Sequence, residues 1–121
     1  MFSMNKSFDN ILKKIKKFRD ERDWKKFHNP KDMAEAISIE SNELLELFLW
    51  KTKEESIEFV KNKKNKEEIS DEVADIMAFL IEFCDNSGID LEKAIENKLQ
   101  KNAKKYPVNK SKGVATKYTK L

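Results

Sequence analysis

With 121 residues, 39% of them hydrophobic and 39% charged, the chain is long enough for one hydrophobic core and leaves little room for a second. Only 2 glycines and 2 prolines exclude a turn-rich β fold and favour an all-α bundle. The formal charge of +3 is the small difference between 25 basic and 22 acidic residues, so it dictates neither a nucleic-acid nor a membrane partner.

Phe8, Ile11, Leu12, Ile15 and Phe18 recur at helical spacing and predict a first helix that fades near Arg22. Trp24 to Pro30 reads as a connector, in which Asn29 caps and Pro30 opens a second helix running to about Trp50. Thr52 and Glu55 have the spacing of a capping box, predicting a short third helix that carries Ile57 and Val60 toward the core and fades in KNKKNK. Asn65 with Glu68 repeats that pattern and opens a fourth helix through Ile69, Val73, Ile76, Phe79, Leu80 and Phe83, closing near Gly88. Asp90 caps a fifth helix, with Leu91, Ile95 and Leu99 on one stripe, which ends before Tyr106 and Pro107. Residues 106–121 read as an irregular basic tail, and the whole chain as one domain of about five helices.

Cys84 has no partner for an intramolecular disulfide and lies in the apolar run IMAFLIEFC, as a buried thiol would. No apolar stretch reaches the ~20 residues that span a bilayer, and MFSMNKSFDN lacks the continuous apolar segment of a secretory signal. A cytoplasmic protein without a membrane partner is expected.

The chemistry-bearing residues are acidic. Glu40 follows Ile37 by three residues and precedes Leu44 by four, so its carboxylate interrupts the apolar seam of the second helix, with Glu43 one turn on. Glu72 interrupts the fourth helix in the same way between Ile69 and Ile76, with Asp75 one turn further. One such pair is ordinarily a solvated face; two pairs on separate helices, each breaking its own seam, call for a cation, because facing carboxylates otherwise suffer repulsion and desolvation. Oxygen-only donors suit Mg²⁺ or Mn²⁺. The single histidine, His28, cannot supply paired Glu-x-x-His motifs for di-iron, and one Cys far from one His does not make a usual zinc site. His28 itself reads as a surface or loop residue.

At these residues the chain resembles the MazG-like nucleoside triphosphate pyrophosphohydrolases, whose signature is E-x-x-E on one helix and E-x-x-D on a later one, here ESNE and EVAD. The likeness is closest to the dCTP pyrophosphatase branch, through ERDWKKFHNP, ELLELFLWK, GIDLEKAIENKLQKNAKKYPVNKSKG and KYTKL. The resemblance implies that Glu40, Glu43, Glu72 and Asp75 hold Mg²⁺ against a triphosphate and that the products are a nucleoside monophosphate and pyrophosphate. It also implies that Lys98 and Asn102 contact phosphate or sugar, that Trp24 and Trp50 enclose the base, and that the protein is a homodimer or homotetramer. Two positions depart from the branch: Ile15 stands for a histidine, and Phe79 for a tyrosine one turn after the metal aspartate, which removes polar groups from the expected base pocket. The competing reading is a non-enzymatic helical module that binds nucleic acid through its lysine-rich C-terminal segment, with Tyr106 and Tyr118 stacking on bases. The many acidic residues elsewhere disfavour that polyanionic partner.

Overall fold

The computed structural model describes residues 6–121. Six helices follow in order: α1 (Lys6–Glu21), α2 (Pro30–Glu46), α3 (Lys53–Phe59), α4 (Lys63–Ser87), α5 (Leu91–Lys105) and α6 (Val108–Ser111), with 3-10 turns at Lys25–Phe27 and Tyr118–Lys120. No strand occurs among the described residues, as the scarcity of turn residues anticipated. No described helix is long and apolar enough to cross a membrane.

The caps explain most boundaries. Asn29 accepts from the Asp32 amide at 2.9 Å with Pro30 in the first turn, so α2 begins where expected. Thr52 and Glu55 form the reciprocal capping box at the start of α3. Asp90 accepts from the Lys93 amide and opens α5, while Gly88 closes α4 at φ 67°, a left-handed conformation natural to glycine.

Several boundaries differ from the expected ones. Helix α4 starts in the lysine-rich segment, because Asn62 and not Asn65 is its cap: the Asn62 side chain accepts from the amides of Lys64 and Asn65. Asn65 instead donates to the Phe59 carbonyl, tying α3 to α4. Helix α2 stops at Glu46, and Trp50 sits in a turn at φ 64°. Ile57 and Val60 remain 49% and 38% exposed, so α3 does not deliver them into the core of the single chain. The tail is ordered: Ser111 Oγ donates to the Pro107 carbonyl, and the Tyr106 and Tyr118 rings meet edge to face at 5.8 Å.

Helix α4 packs mainly on α2 and secondarily on α1. Met33, early in α2, lies against Asn86, late in α4, while Glu40 and Glu43 meet Glu72; the two helices therefore run antiparallel. On the α1 side, Leu12 joins Ile81 and Cys84, with Phe8, Ile15 and Leu91 packed around them. Burying a side chain such as Leu12 contributes roughly 2 kcal/mol. Cys84 is buried as its apolar run suggested, and burial pushes its thiol pKa up. The fully buried apolar set is nonetheless small, and Leu45, Leu99 and Val108 are each more than 60% exposed.

Candidate active site

On α4, Glu72, Asp75, Phe79, Glu82 and Asn86 recur at alternating steps of three and four and so share one stripe. That stripe faces α2 and α1 and carries three successive environments. At one end is a carboxylate cluster, in the middle an apolar pocket, and beyond it a buried polar network.

Carboxylate oxygens of Glu40, Glu43 and Glu72 lie within 4.8 Å of one another. All three residues are partly buried. Glu40 Oε2 and Glu72 Oε2 are sealed from solvent and have no hydrogen-bond partner among the described residues. Desolvation, followed by the neighbouring carboxylates Glu43, Asp75 and Glu72, pushes the Glu40 pKa up to about 7. Glu72 is raised by desolvation first and then by Glu43. Orphaned buried oxygens in a repelling cluster are what a bound cation would relieve, and the all-oxygen donor set fits a hard divalent ion. Asp75 is more exposed than the other three and stands outside the tight triplet, yet its charge acts on both Glu40 and Glu72.

Asp75 also lines the adjoining pocket, which has a volume of about 450 Å³. Its walls are Ile15 and Phe18 from α1, Trp24 from the connector, and Ala78 and Phe79 from α4, with Lys14, Arg19, His28 and Glu82 completing it. Apolar walls with a few convergent polar groups describe a small-molecule site. Phe18 and Trp24 meet edge to face at 5.8 Å, and Arg22 lies 3.7 Å over the Phe18 ring, which fixes one wall.

The chain belongs to the MazG-like family. The family's model matches residues 36–121, a span that contains both acidic pairs. The chain is 34% identical over 120 residues to dCTP pyrophosphatase 1 of Bos taurus, covering 99% of this chain and 71% of that protein. The corresponding human protein is 30% identical over the same shares. A crystal structure of a pyrophosphatase from Archaeoglobus fulgidus DSM 4304 superposes with a TM-score of 0.79 at 36% identity, covering 88% of this chain and 98% of that one.

The residues singled out in this MazG-like sequence do not all meet. Glu40, Glu43 and Glu72 converge with Asp75 nearby, outside the tight triplet, and Trp24, Phe79 and Asp75 line the adjoining pocket. Trp50 is 91% exposed and is not part of that pocket's wall. Lys98 is exposed beside a shallow groove with Ala94, Ile95 and Leu99, and Asn102 is partly buried; neither lines the pocket.

His28 is a correction: its side chain is only 16% exposed, and Nδ1 lies 2.7 Å from Glu82 Oε2. The same oxygen accepts from Arg19 at 3.3 Å and from Asn86 at 3.0 Å, while Glu82 and Arg19 are 2% and 3% exposed. The Arg19 pKa is raised, first by its hydrogen bond to Asp20. Sequence reasoning missed this network; the one local signal was Glu82, an acidic residue inside the apolar run IMAFLIEFC, and nothing local joined it to Arg19 or His28.

Proposed function

We propose that this MazG-like pyrophosphohydrolase hydrolyses deoxynucleoside triphosphates, dCTP or a base-modified dCTP foremost, to the monophosphate and pyrophosphate with Mg²⁺ or Mn²⁺. The observation that carries the reading is the pair of unpartnered, sealed oxygens on Glu40 and Glu72, contributed by two helices and set beside an apolar pocket. Glu40, Glu43, Glu72 and Asp75 hold the cation. The chemistry a bound cation supplies is neutralisation of the triphosphate charge and acidification of water.

The rest falls to the chain's own side chains. Asp75 borders both cluster and pocket, so a nucleotide with its base in the pocket brings its phosphates toward the carboxylates. Trp24 and Phe79 enclose the base, for which aromatic stacking contributes about 1–3 kcal/mol. A carboxylate of the cluster accepts the proton of the attacking water. Lys98 and Asn102 reach phosphate or sugar, and Trp50 closes on the base, in the assembled protein.

That assembly is a homodimer or homotetramer, supported by large apolar side chains left exposed on α5 and around Trp50. Trp50 holds a left-handed backbone that costs a bulky residue about 1–2 kcal/mol, and such strain points to a role at that position. The preference for cytosine is supported by the names of the related pyrophosphatases. A panel of dNTPs and NTPs, assayed for pyrophosphate against orthophosphate with and without Mg²⁺, tests the reading. Pyrophosphate with an equal amount of monophosphate is expected, and orthophosphate alone would place the cleavage elsewhere.

A further inference from the structure

Glu82 cannot remain buried without donors, since a desolvated carboxylate is costly unless paired and hydrogen-bonded. Arg19 supplies the compensating charge, and Asn86 and His28 supply further contacts to the same oxygen. A carboxylate held by a guanidinium is an acceptor only, so at 2.7 Å the His28 Nδ1 must carry the proton. When the ring is neutral, that Nδ1 proton leaves the lone pair on Nε2, an atom with no hydrogen-bond partner among the described residues. His28 forms part of the pocket wall, and its ring meets Phe79 edge-on at 6.2 Å between centroids. The other acceptors on the pocket wall are the carboxylates of Asp75, which borders the acidic cluster, and of Glu82, whose Oε2 is engaged by Arg19, Asn86 and His28; Ile15, Phe18, Trp24, Ala78 and Phe79 offer ring stacking and apolar contact.

We propose that His28 is the base-reading residue: its Nε2 accepts a hydrogen bond from the exocyclic amino group of cytosine or adenine and disfavours the oxo group that uracil, thymine and guanine present instead. Glu82, held by Arg19, is the positioning residue that fixes this tautomer. The inference rests on the pocket being the base site of the proposed nucleotide hydrolase. Discrimination of this kind is strong because the wrong base sets two acceptors against each other in a desolvated pocket.

The test reads binding without requiring hydrolysis. Tryptophan fluorescence, for which Trp24 is placed in the pocket, follows titration of the full chain with dCMP, dAMP, dUMP and dTMP. The wild type is expected to bind dCMP and dAMP roughly tenfold more tightly than dUMP and dTMP, one hydrogen bond's worth. In His28→Asn the amide nitrogen replaces Nδ1 as donor to Glu82 but leaves nothing in the place of Nε2. The preference should fall to within about twofold while the melting temperature is held. His28→Gln, with an amide oxygen near the Nε2 position, should restore part of it. Equal binding of dCMP and dUMP by the wild type, binding of neither, or an undiminished preference in His28→Asn overturns the proposal. Absence of pyrophosphate release from dNTPs while the dCMP preference persists would sink the hydrolase reading alone.

Discussion

Replacing Glu40 by Gln removes one charge from a cluster that, without metal, repels itself. The Glu40 pKa rises from 4.5 to about 7 through desolvation and then through Glu43, Asp75 and Glu72. Taken whole, that shift corresponds to a cost on the order of 3 kcal/mol for the ionised form at pH 8. Solvent screening at this partly open cluster reduces it to about 1–2 kcal/mol. The sign follows from linkage: between the unfolded and folded pKa values the native state binds more protons, so metal-free stability falls as pH rises from about 4.5 to about 7. Glu40→Gln should therefore melt roughly 3–10 °C above the wild type at pH 8 in EDTA, and close to it at pH 4. Excess Mg²⁺ should reverse the order at pH 8, because a cation at 100 times its dissociation constant stabilises the wild type by about 2.7 kcal/mol. Thermal unfolding by circular dichroism, in EDTA and in Mg²⁺ at both pH values, is the assay. A variant less stable than the wild type in EDTA at pH 8, or a wild type indifferent to Mg²⁺, would refute the reasoning.

Glu43→Ala and Asp75→Ala should each abolish pyrophosphate release with little loss of metal-free stability, since relief of repulsion offsets lost packing; a coupled pyrophosphate assay and urea melts check both. Arg19→Ala strands Glu82 as an uncompensated buried charge and should cost about 3 kcal/mol or more in urea unfolding. Trp24→Ala should weaken nucleotide binding by roughly tenfold through lost stacking, read as a higher KM with kcat less affected.

The helices and their caps were legible because they depend on neighbours a few residues apart: Asn29, Thr52 with Glu55, Gly88 and Asp90 act where the sequence places them. Asn62 was passed over because Asn65 with Glu68 mimics the same local pattern, and the decision between them rests on the contact of Asn65 with the Phe59 carbonyl. The carboxylate cluster was legible because each pair breaks its own apolar seam, so two local anomalies foretold one meeting. The Arg19, His28 and Glu82 network was not read, since its members are 54 and 63 residues apart and only the packing of α1, the connector and α4 joins them. Trp50, Lys98 and Asn102 carry no local signal that ties them to the pocket, and none of them lines it. Helix α5, which bears Lys98 and Asn102, makes few contacts within the single chain, and Trp50 is exposed in the turn after α2.

Titration of the apo protein with Mn²⁺, followed by electron paramagnetic resonance, tests most directly whether the two acidic pairs grip a shared cation. The wild type should take up Mn²⁺, and Glu43→Gln on α2 and Glu72→Gln on α4 should each lose most of that affinity. Undiminished uptake after either substitution, or no uptake by the wild type, would contradict the account.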